Sequence, residues 1–225
     1  MAISASAGAA FSSAFERHLG DKGVERRLQR GAILHLAGEP CERVHVVRSG
    51  IVLQMSRDAA GGETVLGLVG PDEIIDPSSA IDGLPHHFDA LAATDCIVEG
   101  VASDRFRDAL SRDPLMTLAV ARVLAEKMRW ASDTAHERAA QQVSGRVAGR
   151  LLELARLLGE QRGEWIELHL PIDQSTFARL AGTSRESTCK TLRRFKADGV
   201  VDYEGRRLRI LRPDALRHMR CAGKR

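Results

Sequence analysis

The residues best suited to chemistry lie in one charged stretch, residues 173–196, which reads DQSTFARLAGTSRESTCKTLRRFK. Arginine and lysine can donate to guanine O6 and N7, and a carboxylate can accept from cytosine N4. We therefore expect Arg185, Glu186 and Lys190 to contact DNA bases. The sequence carries no nucleophile elbow, Walker lysine loop or metalloprotease helix, so we predict no catalytic residues and a protein that is not an enzyme.

Two short helices around a tight turn must position these side chains. Thr188, Leu192 and Phe195 recur at steps of four and three, which places them on one inward stripe of the second helix. The charged residues then face outward and can enter a major groove. The alternative interpretation is a surface helical hairpin whose charged face is only solvated.

Local turn chemistry supports the same two helices. Asp173 can cap the first helix, and Thr183 or Ser184 can cap the second. Gly182 between them can adopt the positive φ that a helix end favours. Cap, glycine and charged face coincide at the spacing that a helix-turn-helix requires.

The segment resembles the DNA-binding domain of the cyclic AMP receptor protein and fumarate-nitrate regulator (Crp/Fnr) superfamily, whose motif reads approximately L-A-x-x-x-G-x-S-R-E-T-V-x-R-x-L. Phe177-Ala178 stands at the Leu-Ala pair, Gly182 and Ser184-Arg185-Glu186 match directly, and Ser187 replaces the threonine. The resemblance implies that Arg185 and Glu186 read bases. The expected phosphate contacts in this domain are Asp173, Gln174, Ser184, Ser187, Arg193 and Arg206.

Lys190 departs from the motif, which usually has arginine there. Lysine is a point charge without the arginine fork, so we expect weaker or different discrimination at that base step. Farther along, VVDYEG and RRLRI predict a hairpin that turns at Glu204-Gly205, the wing of a winged helix. Arg206, Arg207 and Arg209 would make this wing a second phosphate contact.

Charge is distributed unevenly along the 225 residues. Residues 141–225 hold 18 Lys and Arg against 10 Asp and Glu, a balance of +8, whereas the first 140 residues hold 15 against 20, a balance of −5. A basic C-terminal part beside an acidic N-terminal part is typical of a regulatory domain joined to a DNA-binding domain.

The N-terminal part changes pattern near residue 30. Residues 11–28 predict short helices, and short apolar runs separated by glycines then predict the strands of a sandwich or barrel. This part resembles the cyclic-nucleotide-binding-type β-roll of the same superfamily. We thus predict an α+β protein: a β-roll sensor domain over 11–113, a dimerisation helix over 114–140, and a winged helix-turn-helix domain over 141–225.

Residues 72–90, DEIIDPSSAIDGLPHHFDA, match the superfamily's nucleotide cassette, in which a glutamate holds the ribose and an arginine pairs with the cyclic phosphate. Asp76 is the nearest acid, and Phe88-Asp89-Ala90 stands where Arg-Ser/Thr-Ala would be. The missing arginine predicts that cyclic AMP does not bind in the usual mode. The candidate effector pocket comprises Asp76, Ser78, Ser79, His86, His87 and Asp89.

Two interpretations of His86 and His87 stay open. They can ligate a haem iron, pair with an anion or titrate near neutral pH as part of a small-molecule sensor. Beside Pro85 in a polar loop, the sequence favours solvated loop residues instead. The other histidines, such as His35 and His45, show no ligand spacing, so we predict no metal site and no certain cofactor.

A long helical stripe follows Pro114. Its members are Val120, Leu124, Met128, Ala131 and Ala135. We expect the early part to pack on the β-roll and the later part to meet a second copy. In the resembled superfamily the equivalent helix is the dimer interface, and a two-fold dimer would favour a palindromic site. A hinge over 141–144 should follow, with Ser144 capping the next helix.

Cysteine usage favours a reducing cytoplasm, because the four cysteines are far apart and form no CxxC pair. Cys189 lies on the expected DNA-facing side, where its thiolate could make oxidation a switch. The favoured alternative is a small residue tolerated near the phosphates.

A regulator of this type implies several partners. We expect double-stranded DNA, a second copy of the chain, RNA polymerase and an unidentified small-molecule effector, and no membrane. The competing functional hypothesis is a low-specificity architectural DNA-binding protein.

Overall fold

The computed structural model describes residues 11–17, 23–57, 62–140 and 142–221. Those described residues divide into two compact units. The first reaches along the chain to Ala131, and the second comprises Ser132 onward together with Glu63–Val65. The main division therefore falls inside the long helix, whereas the hinge was predicted over 141–144, of which residue 141 lies outside the described residues.

Eight strands of the described N-terminal part form two antiparallel sheets, with strand orders β1-β8-β3-β6 and β2-β7-β4-β5. The strands are β1 Val24–Leu28, β2 Ile33–His35, β3 Arg43–Ser49, β4 Val52–Arg57, β5 Glu63–Val69, β6 Ile74–Ile75, β7 Asp89–Ala92 and β8 Cys96–Ala102. Val44 and Val46 are buried and His45 between them is half-buried, the alternation expected of a strand. The predicted β-roll is confirmed.

The prediction of helices over residues 11–28 is only partly right. Residues 11–17 form helix α1, and residues 18–22 lie outside the described residues. Val24–Leu28 is instead strand β1, which pairs with β8 from Val24 opposite Gly100 to Leu28 opposite Cys96. Only Leu28 of this strand is buried. An edge strand held by backbone pairing carries no apolar alternation, so its sequence gives no strand signal.

Three further helices follow in this part: α2 Pro77–Asp82, α3 Ser103–Arg112 and α4 Pro114–Ala140. The first turns of α4 pack on the roll, because Met116 and Val120 share a core cluster with the strand residues Val44, Ile74 and Val101. The early part of the predicted stripe is therefore confirmed. Burying such side chains contributes on the order of 1.5–3 kcal/mol each.

The second unit contains a four-stranded sheet of order β11-β12-β10-β9 and four helices besides the end of α4. Its elements are α5 Val143–Leu158, β9 Glu160–Arg162, β10 Trp165–His169, α6 Gln174–Leu180, α7 Arg185–Ala197, β11 Val201–Glu204, β12 Arg207–Ile210 and α8 Pro213–Cys221. The winged helix-turn-helix is confirmed. Among the described residues, no helix is long and apolar enough to cross a membrane.

The predicted cap of α5 is wrong. Ser144 lies inside the helix, which begins at Val143, and Gln142 occupies the cap position without a side-chain cap. Val147, Leu151 and Leu154 form a fully buried stripe of this helix, whereas Leu158 at its end is half-buried.

Candidate nucleic-acid interface and effector pocket

Side-chain caps set both helices of the helix-turn-helix. The Asp173 carboxylate accepts from the Thr176 N–H at 2.7 Å, which holds the pKa of Asp173 below its usual value. The Ser184 hydroxyl accepts from the Ser187 N–H at 3.1 Å, so α7 begins at Arg185. Gly182 between the helices has a φ of 60°. These caps fix the direction in which α7 leaves the turn.

Helix α7 separates a buried face from a charged face, as predicted. Thr188, Leu192 and Phe195 are at most 5% exposed. The exposed side chains include all three predicted base readers and one predicted phosphate contact: Arg185, Glu186, Lys190 and Arg193. The basic and acidic groups that can read base edges therefore lie together on one solvent-facing surface of a rigid helix.

A side chain that the sequence analysis missed holds the turn in place. Arg146 of α5 donates from Nε to the Ala181 carbonyl at 3.1 Å and from Nη2 to the Gly182 carbonyl at 3.3 Å. These carbonyls end α6, where backbone acceptors lack partners within the helix. Arg146 thus ties the turn to α5, and no local spacing in the sequence reveals a contact over such a separation.

Asp173 and Gln174, two of the predicted phosphate contacts, have different side-chain partners. The ionised Asp173 carboxylate only accepts hydrogen bonds and already serves the cap, so this side chain is not a donor to a phosphate, and a phosphate contact at Asp173 stays a prediction for its backbone N–H alone. Gln174 is exposed, and its Oε1 accepts from the Cys189 thiol at 3.2 Å. The Gln174 amide group still has donors for a phosphate.

The same contact bears on the predicted redox role of Cys189. The thiol is half-buried and acts as a hydrogen-bond donor to Gln174. The thiol therefore already has a partner on α6. This geometry favours the interpretation of Cys189 as a small residue beside the DNA, and its oxidation stays a prediction.

The wing turns at the predicted residues, but two of its three arginines lie against a carboxylate of the sheet. Glu204 of β11 lies opposite Arg207 of β12 in the strand register, and Gly205 in the turn between them has a φ of 58°. Arg207 pairs with Glu167, whose pKa this hydrogen bond lowers, and Arg209 lies 3.7 Å from the same carboxylate. Two of the three predicted wing contacts are therefore already engaged on the sheet.

Arg206 remains exposed at the tip of the wing. It lines the same groove as Arg185, the first residue of α7. The recognition helix and the wing thus place two cations on one side of the second unit, as contact with successive phosphates and bases requires.

Several of the predicted effector-pocket residues meet around Asp76, which is buried and caps α2 from a left-handed conformation with a φ of 47°. Its Oδ1 accepts from the Ser78 hydroxyl at 2.9 Å and from the Ser79 N–H at 3.4 Å. Its Oδ2 lies 2.7 Å from Nδ1 of His86. The structure therefore brings four of the six predicted pocket residues together in direct contacts.

His86 and His87 have different environments. His86 is 5% exposed, so its interpretation as a solvated loop residue is wrong. The side chain of His87 is 61% exposed, as a loop residue would be, with Nδ1 3.6 Å from Oδ1 of Asp76. The sequence could not separate the two neighbours, because burial depends on the fold around each.

The sixth predicted residue, Asp89, is buried on β7 and has its own partners. Its Oδ1 accepts from the Ala37 N–H at 2.8 Å, and its Oδ2 lies 3.4 Å from Nε of Arg57. Asp89 therefore stabilises the loop after β2.

Charge in the effector pocket is set by opposing effects. Burial lowers the pKa of His86, but hydrogen bonds with Asp76 and the Cys41 thiol raise it more, to about 9. Burial likewise raises the pKa of Asp76, but hydrogen bonds from His86, Ser79 and Ser78 lower it more, to about 2. At neutral pH the two side chains form a buried ion pair.

His35 is the pocket residue that the sequence analysis missed. Its ring stacks on that of His86 with centroids 3.5 Å apart and planes 2° from parallel. Burial and the neighbouring His86 lower the pKa of His35 to about 4, which keeps its imidazole neutral. His35 lies on β2, far along the chain from α2, so its spacing from the predicted residues carried no signal.

A cyclic-nucleotide-binding-type β-roll followed by a winged helix-turn-helix defines a class of two-domain transcription regulators. Family models match both of these domains in this chain. Residues 145–219 match the family model of the Crp-like helix-turn-helix domain, and residues 25–113 match that of the cyclic nucleotide-binding domain.

Relatives along most of the chain give the same result. The chain is 30% identical over 181 residues to the CRP-like cAMP-activated global transcriptional regulator of Mycobacterium tuberculosis, covering 80% of this chain and 81% of that protein. It is 28% identical over 178 residues to the cyclic AMP receptor protein of Thermus thermophilus, covering 79% of each. The structure of FixK2 from Bradyrhizobium japonicum matches with a TM-score of 0.78 at 21% identity, covering 88% of this chain and 96% of that one, and shows the shared fold.

The chain therefore belongs to the Crp/Fnr superfamily. It is a Crp/Fnr-type transcription regulator with a helix-turn-helix DNA-binding domain.

Proposed function

We propose that this regulator binds a palindromic DNA site as a homodimer and reads its sequence with α7. The observation that carries the proposal is the exposed set of Arg185, Glu186 and Lys190 on a helix whose opposite face is buried. Arginine and lysine suit guanine, and the carboxylate suits cytosine, so the set is suited to sequence readout. Ser184, Ser187, Gln174, Arg193 and Arg206 are the proposed phosphate contacts.

Exposed apolar side chains support the dimer. Met128 on α4 is 70% exposed, and Ala131 and Ala135, which lie on its stripe, are also exposed. Exposed apolar side chains at regular spacing on a helix, small residues among them, are typical of a subunit interface. A two-fold axis along this part of α4 would relate two copies of α7 and favour half-sites about one DNA turn apart. RNA polymerase is the further partner that we expect of such a regulator.

The residues around Asp76 do not suit cyclic AMP as the effector. Asp76, in the position of the ribose-binding glutamate, is already bonded to His86 and Ser78. Residues 88–90 contribute Asp89 where the phosphate-pairing arginine would be. Asp89 adds negative charge where a cyclic phosphate would need a cation, so we propose a different effector in the same pocket.

Selection of binding sites from random DNA by the purified full-length protein tests the proposal. We expect an inverted repeat whose half-sites are centred about 10 base pairs apart or a multiple of this. Met128→Asp should convert the dimer to monomer in sedimentation equilibrium and abolish the inverted repeat, with the exposed Leu84→Asp on a loop as the control. A selected pool without any repeat, or a wild-type protein that sediments as a monomer, would contradict the proposal.

A further inference from the structure

Three side chains of metal-binding type meet in the buried cluster around Asp76. His35 on β2, Asp76 at the start of α2 and His86 after α2 each offer one ligand atom, and these atoms lie within 4.8 Å of one another. All three residues are at most 6% exposed. Two imidazoles and a carboxylate in the protein interior form a costly arrangement unless each polar atom has a partner.

His35 lacks such partners. Neither of its ring nitrogens has a hydrogen bond among the residues that the structure describes. An unpaired buried polar group costs on the order of 1–3 kcal/mol, so a buried imidazole with two unpaired nitrogens calls for a specific explanation. The ring of His35 stacks on that of His86, which is itself hydrogen-bonded to Asp76.

We propose that His35, Asp76 and His86 bind a first-row divalent transition-metal ion, with Zn²⁺ as the reference ion. Zn²⁺ and its neighbours accept imidazole nitrogen and carboxylate oxygen together, whereas Mg²⁺ and Ca²⁺ prefer oxygen ligands. Three protein ligands leave a fourth tetrahedral position for water or a small anion.

Metal binding requires the stacked rings to reorient, because an ion lies in the plane of each imidazole that ligates it and two parallel planes do not meet. Zn–N and Zn–O bonds of about 2.0–2.1 Å place tetrahedral ligand atoms about 3.4 Å from one another. Nδ1 of His86 and Oδ2 of Asp76 are now 2.7 Å apart and must open, while His35 must tilt out of the parallel stack. The ion replaces the hydrogen that bridges Asp76 and His86, and that proton leaves to solvent.

Two neighbouring features suit an ion site. The Ser78 hydroxyl and the Ser79 N–H hold Oδ1 of Asp76, which fixes the orientation of the carboxylate. Hydrogen bonds of this kind position metal ligands and raise affinity. Exposed His87 lies 3.6 Å from Oδ1 of Asp76, so the cluster lies close beneath a solvent-facing side chain.

Regulation by the ion rests on the proposed function. Asp76 both belongs to the cluster and caps α2, so ligation would shift the start of that helix. We infer that occupancy changes the affinity of the dimer for its DNA site. Binding of the ion itself does not depend on that inference.

Direct metal titration of the full-length protein tests the site. Chelator-treated wild-type protein should bind one Zn²⁺ per chain at this site, measured by competition with a chromophoric chelator, and Co²⁺ should give the visible absorption of a four-coordinate centre. His35→Phe keeps an aromatic ring on His86 but removes both nitrogens, and it should weaken binding at least about 100-fold. Asp76→Asn should weaken it about 10–100-fold. His218→Ala, at an exposed histidine of α8, is the matched control and should bind as wild type.

Far-UV circular dichroism shows whether His35→Phe folds. A ¹H–¹⁵N spectrum of the histidine rings tests the site in the wild-type protein, without any variant. Zn²⁺ should shift the ring resonances of His35 and His86 and leave that of His218 unchanged. Unchanged Zn²⁺ affinity in a folded His35→Phe protein, or no shift at His35 and His86 in the wild type, would overturn the site.

DNA affinity with and without saturating Zn²⁺ tests the regulatory part separately. We expect a change of at least about fivefold, the lower end of common allosteric couplings. Zn²⁺ bound at the site with equal DNA affinity would overturn the regulatory inference alone. If the protein bound no DNA site specifically, with or without Zn²⁺, the proposed function would be refuted. The result of the metal titration would still stand.

Discussion

The carboxylate of Asp76 and the imidazole of His86 form a buried ion pair, with Oδ2 and Nδ1 2.7 Å apart. Neither side chain is more than 5% exposed. Water screens such a pair little, and the loss of one partner leaves an uncompensated buried charge. The pair therefore links the start of α2 to the segment after it, and stability should depend on the charge state of both groups.

The pH dependence of stability follows from this pair. The pKa of His86 is about 9 when folded and 6.5 when unfolded, so its stabilisation is fully present below pH 6.5 and is lost as pH rises through 9. The pKa of Asp76 is about 2 instead of 3.8, so its contribution is lost only as pH falls from 3.8 through 2. The free energy of unfolding of chelator-treated protein, measured by urea titration, should fall between pH 6.5 and 9. His86→Gln should flatten this decline, and a wild-type profile that rises over the same range would contradict the assignment.

Removal of the Asp173 cap should destabilise the second unit. Asp173→Ala leaves the Thr176 N–H without its acceptor and should cost about 1 kcal/mol in the free energy of unfolding. Asp173→Asn keeps an acceptor oxygen and should recover most of the loss. Equal stability of the alanine and wild-type proteins in denaturant titrations would show that the cap does not stabilise α6.

Arg185 and Arg193 should have different effects on DNA binding. Arg185→Ala should cost about 1–3 kcal/mol at the selected site and relax the preference at one base step. Arg193→Ala should weaken binding to all sequences similarly and reduce the salt slope by about one unit. Arg217→Ala on α8, paired with Asp214, serves as the control. Equal losses on all sequences for Arg185→Ala would make Arg185 a phosphate contact, and an unchanged salt slope would remove Arg193 from that set.

The wing offers a matched pair of arginines. Arg206 lies exposed at the tip, whereas Arg207 is paired with Glu167. Arg206→Gln should lower DNA affinity and the salt slope by about one unit, while Arg207→Gln should change the salt slope little. Fluorescence anisotropy over a range of salt concentrations measures both. A larger slope change for Arg207→Gln would mean that this arginine leaves Glu167 to bind DNA.

Sequence reasoning predicted the DNA-binding unit best, because its determinants are local. Asp173 and Thr176, or Ser184 and Ser187, are three residues apart, and such caps are visible in any window of the sequence. Arg146 escaped prediction because its carbonyl partners lie in another part of the chain.

The effector pocket shows the limit of local patterns. The cassette predicted Asp76 and its serines, but His35 comes from strand β2 and meets His86 only through the fold. Strand β1 was missed for a similar reason, since its pairing with β8 is not visible in its own residues. Burial of His86, but not of His87, likewise follows from tertiary packing.

The ratio of affinities for the selected site and for unrelated DNA tests the central claim most directly. It should be measured at physiological salt by competition, with purified protein and no cyclic AMP present. Sequence reading by α7 predicts a preference of about 10³-fold or more for the selected site. A preference below about tenfold would contradict sequence-specific regulation and favour the low-specificity architectural role.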